Sequence, residues 1–207
     1  MKKYKLFIFD LDGVIVDTKL NMKASWKAVK IIHNIKVSFK DYFSLIGSPF
    51  NNILSDLKIH EKQKEIANTY AKESLKKSSL IKIFPEIKLT LEKLRKKNKI
   101  AIVTSKDRNR TKLILKQFKL SFDLISCPEK NLRGKPYPDQ ILKVLRNLSI
   151  NKEDCVYIGD MYVDYTAALN AKVDFFLVNY GYEKEHIKKI KKIKKISKIK
   201  NLLKYQY

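Results

Sequence analysis

Asp10 and Asp12 are the residues whose type and spacing speak first for chemistry. They follow Lys5-Leu6-Phe7-Ile8-Phe9, an apolar run that reads as a buried strand, and residues two apart in an extended chain point to the same side. The two carboxylates therefore crowd together at a strand's C-terminal end, where open α/β sheets bind ligands. Charges this close repel unless a cation or a shared proton intervenes. Gly13 then permits a backbone turn that a side chain would resist. On spacing alone, a solvated acidic turn is the competing reading.

Three later segments extend the pattern. Thr104-Ser105-Lys106 follows the apolar run Ile100-Ala101-Ile102-Val103, and Lys135 lies within Gly134-Lys135-Pro136. Val156-Tyr157-Ile158-Gly159 then leads into Asp160, with Asp164 four residues further on. Hydroxyl, ammonium and clustered carboxylates, delivered at strand ends, make a phosphate site with a metal. For Lys135 the competing reading is a solvated loop lysine, in a chain that has many.

The four segments, in this order, resemble the motifs of the haloacid dehalogenase (HAD) superfamily: a DxD strand end, a Ser/Thr strand end, a Lys, and a GDxxxD acidic strand end. The resemblance implies that Asp10 is a nucleophile forming an aspartyl-phosphate, and that Asp12 protonates the leaving oxygen and then activates water. That splits one hard displacement into two easier ones. It assigns Thr104, Ser105 (through its amide) and Lys135 to the phosphate, as donors that balance charge on the equatorial oxygens. Mg²⁺ prefers a few carboxylate and carbonyl oxygens plus waters, which suits the Asp10 side chain, the Asp12 carbonyl and the Asp160 side chain, with Asp164 supporting that shell. Dehalogenating members lack an acid at the Asp12 position because a halide leaves without a proton, so Asp12 argues for phosphoryl chemistry.

The elements that must position these residues read as an α/β chain: a Rossmann-like three-layer parallel sheet core (HAD-like) with an inserted small α-helical cap domain. Strands are expected near Tyr4–Phe9, Ile100–Val103, Phe122–Ile125, Cys155–Ile158 and Phe175–Val178, alternating with helices near Pro85–Lys97, Asn109–Phe118, Pro138–Leu148 and Val163–Ala171. From about Thr18 to Leu80 the chain reads as helices alone. Met22, Trp26, Val29 and Ile32 recur at helical spacing, Ser38-Phe39-Lys40-Asp41 resembles a capping box, and Gly47-Ser48-Pro49 breaks two helices. The expected division is a discontinuous core of residues 1–17 and 82–207 around a cap of residues 18–81, with hinges at Val16-Asp17-Thr18 and Ile83-Phe84-Pro85.

Such an insert resembles the cap of the phosphoglycolate phosphatase and β-phosphoglucomutase branch, which closes over the site and excludes water. Where β-phosphoglucomutases carry a cap histidine and a cap arginine, this chain has Met22 and Phe50, which favours a phosphatase over a mutase. Two other departures are Ser105 where motif two commonly has Asn, and Ala171-Lys172 where Ala-Gly commonly ends the last motif's helix. The substrate reads as a small anionic phosphorylated metabolite, a sugar phosphate or a phosphoglycolate-like compound. Asn21, Trp26, Ser48, Phe50, Lys72, Lys76 and Lys77 are cap candidates for choosing it.

The 207 residues suffice for one full α/β core and a small second module. No stretch is long and apolar enough for a membrane span, and Asp10 and Asp12 interrupt the only signal-like run, so a cytoplasmic protein is expected. A net charge of +24 invites a nucleic-acid reading. Against it, lysine outnumbers arginine 40 to 5 and is spread along the whole chain, and arginine is the preferred bidentate phosphate reader. The Ile187–Ile196 lysine run reads as the solvated face of a tail comprising a short helix, an edge strand and a last helix around Leu202-Leu203. A non-catalytic basic binding protein is the alternative from another class. Cys127, Cys155, His33, His60 and His186 fall outside every motif, and nothing specifies an oligomeric state.

Overall fold

In the computed structural model, residues 1–182, 187, 190 and 193–207 are described. Six parallel strands form one sheet in the order β5-β4-β1-β6-β7-β8. These are β1 (Leu6–Phe9), β4 (Lys99–Val103), β5 (Leu124–Ser126), β6 (Cys155–Gly159), β7 (Asp174–Val178) and β8 (Lys194–Ile196). Side chains of β1 alternate between two cores, as the two-residue period requires. Phe7 and Phe9 join Ile100, Ile102, Val156 and Ile158 on one face, beneath α5 (Ile87–Arg95), α6 (Arg108–Gln117) and a 3₁₀ segment, Ile199–Tyr205. Leu6 and Ile8 join Ala101, Val103 and Tyr157 on the other, beneath α7 (Asp139–Leu148) and α8 (Tyr162–Ala171). The result is a three-layer Rossmann-like core, with β1 in the middle and its C-terminal end at the crevice where the strand order reverses.

Four helices interrupt this core: α1 (Lys19–Ile32), α2 (Phe39–Ser44), α3 (Phe50–Asp56) and α4 (Gln63–Lys76). They enclose an apolar cluster of their own, in which Trp26 stacks on Tyr42 with centroids 4.4 Å apart. The Ser38 hydroxyl accepts the Asp41 N–H at 3.1 Å and starts α2 as the capping pattern foretold. Where two bare hinges were expected, a two-stranded antiparallel ribbon forms: β2 (Val16–Asp17) pairs with β3 (Lys82–Ile83). Strands of two residues carry too little periodicity to be read in a sequence.

Lys194–Ile196 supplies the expected edge strand, while the last helix around Leu202-Leu203 is 3₁₀ rather than α. The short helix expected from Ile187, most of the lysine run and His186 lie outside the described residues. Among the described residues no helix is long and apolar enough to cross a membrane.

The departure at Ala171-Lys172 has a visible consequence. Lys172 takes the left-handed conformation, φ 57°, and its N–H still caps α8 onto Ala168 and Leu169. A side chain there costs roughly 1–2 kcal/mol relative to a right-handed position. Lys172 is exposed, so Lys172→Gly removes that cost without touching a core contact. We expect it to raise the urea-unfolding free energy by about 1 kcal/mol.

Candidate active site

The chain leaves β1 through Asp10, whose N–H is held by the Ile158 carbonyl at 2.9 Å, so the carboxylate starts from a fixed position in the central strand. Gly13 turns with φ 86°, and a Cβ there would come within 2.2 Å of an Asp160 oxygen. Any side chain at 13 would push the two motifs apart. Asp10, Asp160 and Asp164 are buried and bring carboxylate oxygens within 4.8 Å of one another. Lys135, also buried, bridges two of them, with Nζ 2.9 Å from Asp10 Oδ1 and 2.7 Å from Asp164 Oδ1. The solvated-loop reading of Lys135 is thereby excluded.

The three acids are not equivalent. Asp164 accepts from Lys135 Nζ, the Tyr157 hydroxyl and the N–H groups of Asp160 and Met161, which uses all of its lone-pair positions. It holds the loop and the lysine. Asp160 accepts the Tyr182 N–H on Oδ2 at 2.6 Å, but its buried Oδ1 has no partner. Asp10 faces one lysine and several carboxylates. Burial, with Asp164 and Asp12 adding to it against the opposing Lys135, pushes Asp10 up to about 7. Burial raises Asp160 as well, helped by Asp164 and Asp10. Burial alone would lower the Lys135 ammonium, yet Asp10 and Asp164 beside it hold it well above its ordinary value. An orphaned carboxylate oxygen in an acidic, desolvated cluster suits a hard divalent cation, which the Asp10 and Asp160 side chains could hold.

Asp12 stands apart from this trio. Its Oδ1 accepts the Thr18 hydroxyl at 2.5 Å, and its Oδ2 lies 3.3 Å from Lys106 Nζ. It faces the same cavity as Asp10, a space of about 60 Å³ between core and helical insert, which Thr104, Ser105 and Lys135 also line. The Thr104 hydroxyl accepts the Lys106 N–H and closes the turn after β4. The Ser105 hydroxyl, to which the resemblance assigns no role, donates to the Gly47 carbonyl at 2.6 Å and ties the core to the insert. Gly47, φ 96°, presses so closely on α8 that a Cβ would come within 2.7 Å of Val163.

Of the cap candidates, Ser48 and Phe50 line the cavity, as does Met22. Asn21 instead bonds the Ser74 and Lys77 carbonyls, Trp26 bonds the Val37 carbonyl, and Lys76 and Lys77 pair with Glu73. Asn21 joins α1 to the end of α4, Trp26 ties α1 to the loop before α2, and the two lysines pair along α4 itself. Lys72 is not among the cavity's lining residues.

Three residues were missed by the motifs. Lys106 closes the Thr104-Ser105-Lys106 segment, and nothing in its sequence setting marks it as buried. Arg110 lines the cavity from α6, one helical turn after the motif. Tyr182, in an aromatic loop without a motif, gives its N–H to Asp160 while its hydroxyl accepts the Thr18 N–H at 2.6 Å and donates to Asp17 at 3.1 Å. It joins the acidic cluster to the connection between β2 and α1.

A family model described as haloacid dehalogenase-like hydrolase matches residues 7–178. The chain belongs to the haloacid dehalogenase-like hydrolases. Among HAD-like relatives, a phosphoglycolate phosphatase of Aquifex aeolicus is 29% identical over 87% of this chain and 87% of its own. Pyrophosphatase PpaX of Oceanobacillus iheyensis is 25% identical, covering 82% of this chain and 80% of its own. The crystal structure of a hydrolase from Pseudomonas syringae superposes with a TM-score of 0.85 at 25% identity, covering 97% of each chain. The insert and core of this HAD-like enzyme thus follow the phosphoglycolate phosphatase and PpaX-like branch.

The inequality of the acids predicts opposite mutational effects in metal-free buffer. Asp164→Asn breaks a buried ion pair and should cost about 3–5 kcal/mol. Asp160→Asn should leave stability unchanged or raise it, because it removes a carboxylate whose charge is not compensated. The folded protein holds protons on Asp10 and Asp160 above the unfolded aspartate value of about 3.9, so metal-free stability should fall as pH rises from about 4 through about 7. Urea unfolding in EDTA at pH 5 and pH 8 checks both statements.

Proposed function

We propose that this hydrolase is a Mg²⁺-dependent phosphatase of small phosphomonoesters, of the sugar phosphate or phosphoglycolate kind, with Asp10 as nucleophile and Asp12 as general acid and base. The observation that carries the proposal is the placing of both carboxylates on one cavity, with Asp10 beside Lys135 and Asp12 beside Thr18 and Lys106. The working units in this reading are the core, residues 1–17 and 82–207, and the cap, residues 18–81.

In the first step an Asp10 oxygen bonds to phosphorus as the bond to the leaving oxygen breaks, and Asp12 gives that oxygen its proton. In the second, Asp12 takes a proton from water, whose oxygen bonds to phosphorus while the Asp10–phosphorus bond breaks. Inorganic phosphate leaves, and both aspartates return to their starting forms. Thr104, Ser105 and Lys135 hold the phosphoryl oxygens and balance their charge. The Thr18 hydroxyl and Lys106 keep Asp12 in one orientation, and Asp164 keeps Lys135 within reach of Asp10. Mg²⁺, held by the Asp10 and Asp160 side chains and the Asp12 carbonyl, would supply charge neutralisation that Lys135 alone does not provide.

With Met22 and Phe50 where cations would stand, the cap wall of the cavity carries no charged side chain, which supports net hydrolysis over a mutase that must grip a bisphosphate. The relatives named phosphoglycolate phosphatase and pyrophosphatase point to a phosphate attached to something small and anionic. The cavity is small, about 60 Å³, which agrees with a compact substrate.

Phosphate release from sugar phosphates, phosphoglycolate, pyrophosphate and nucleoside monophosphates, with and without Mg²⁺, tests the proposal. Release should require Mg²⁺, vanish in Asp10→Asn and fall at least a hundredfold in Asp12→Asn. Turnover by Asp10→Asn at the wild-type rate would overturn it; bisphosphate-dependent isomerisation without release would favour the mutase.

A further inference from the structure

Two separate groups of cations line the cavity. One is Lys135, between Asp10 and Asp164. The other is formed by Lys106 and Arg110, from the turn after β4 and the first turns of α6. The Lys106 side chain is 5% exposed and touches Asp12; the Arg110 side chain is 11% exposed. The Arg110 guanidinium lies over the ring of Tyr70, 5.1 Å from its centroid, on the cap side of the cavity. Tyr70 in turn accepts a hydrogen bond from the Tyr42 hydroxyl at 2.8 Å. Two phenol oxygens and two cations therefore converge where Phe50 and Met22 leave the cap itself without charge.

Asp107 does not exhaust this arginine. It takes Nε, and its other oxygen accepts the Arg110 N–H at 3.0 Å to start α6. The Asp107 side chain is 45% exposed, so water shares its charge, whereas the arginine it orients is nearly enclosed. A guanidinium has five donors, and Nε is one. An arginine fixed by its Nε, backed by an aromatic face and turned to a cavity is a preorganised fork for carboxylate or phosphate oxygens.

We propose that Arg110, with Lys106 and the Tyr42 and Tyr70 hydroxyls, forms a subsite for a second anionic group carried on the substrate's leaving portion. The inference rests on the phosphatase reading in one respect: Asp12 marks the leaving-group side, and Lys106 is in contact with Asp12. The substrate class is then a compact phosphoryl compound whose carboxylate or second phosphate lies a few atoms from the phosphorus attacked. The cation comes from the core wall instead of the cap, so its position does not depend on how the cap closes.

Two comparisons test the subsite. In turnover, the ratio of kcat/KM for phosphoglycolate over ethyl phosphate, which lacks the second charge, should exceed ten for the wild type and drop by about tenfold or more in Arg110→Met, mainly through KM. Pyrophosphate, run beside phosphoglycolate, shows whether the subsite takes phosphate or carboxylate oxygens. In binding, calorimetry on Asp10→Asn in Mg²⁺ buffer should show phosphoglycolate or pyrophosphate bound more tightly than ethyl phosphate, with the advantage lost on adding Arg110→Met. Arg110→Lys keeps the charge but not the fork; it should retain part of the preference and serves if Arg110→Met does not fold. A preference unchanged in the Arg110 variants, or no preference in Asp10→Asn, overturns the subsite. No turnover of any ester, with the binding preference intact and dependent on Arg110, would instead overturn the phosphatase reading and leave the subsite standing.

Discussion

One ammonium group, buried beyond the reach of bulk water, holds the centre of this molecule together. Lys135 joins Asp10, at the end of the middle strand, to Asp164, at the start of α8, and so ties three segments that are far apart in the chain. Its own burial is tolerable because the Asp10 and Asp164 carboxyl groups lie within 2.9 Å of it. The same arrangement leaves a deficit. Asp164 is satisfied, but Asp160 keeps an oxygen without a partner and Asp10 shares a single cation with its neighbour. A fold that assembles more carboxylates than cations in one desolvated place has stored an affinity for positive charge, and that affinity is what a metal-dependent phosphoryl site requires.

The helical insert is coupled to this centre by few but specific contacts. Ser105 reaches the Gly47 carbonyl, Tyr182 joins Asp160 to Asp17 and Thr18 between β2 and α1, and Thr18 holds Asp12. The carboxylate assigned to proton transfer is therefore oriented by the segment that connects core and insert.

Most of this was legible in the sequence because it follows strand ends. Asp10, Thr104 and Asp160 each close an apolar run, and such runs in alternation with helical periods dictate a parallel sheet with its functional residues at one edge. Lys135 was found through its Gly-Lys-Pro setting rather than through periodicity. The residues that escaped reading are those whose role depends on distant partners. Arg110 and Lys106 look like surface cations in a chain with 45 lysines and arginines, and only the approach of Tyr70 and Asp12 makes them buried. Tyr182 has no periodic or motif signature, and the β2–β3 ribbon pairs two-residue strands across the whole insert. Asn21 and Trp26 show the converse, since a polar and an aromatic side chain that suggested recognition join α1 to α4 and α2 respectively.

The claim on which everything else turns is that the acidic centre demands a cation. Thermal unfolding of the wild-type protein at pH 8 against increasing Mg²⁺ measures it directly, because a ligand bound only by the folded state raises the melting temperature by mass action. The account predicts a rise that continues with Mg²⁺ concentration in the wild type and is much reduced in Asp160→Asn. A wild-type melting temperature that ignores Mg²⁺, or an equal rise in the variant, would contradict it.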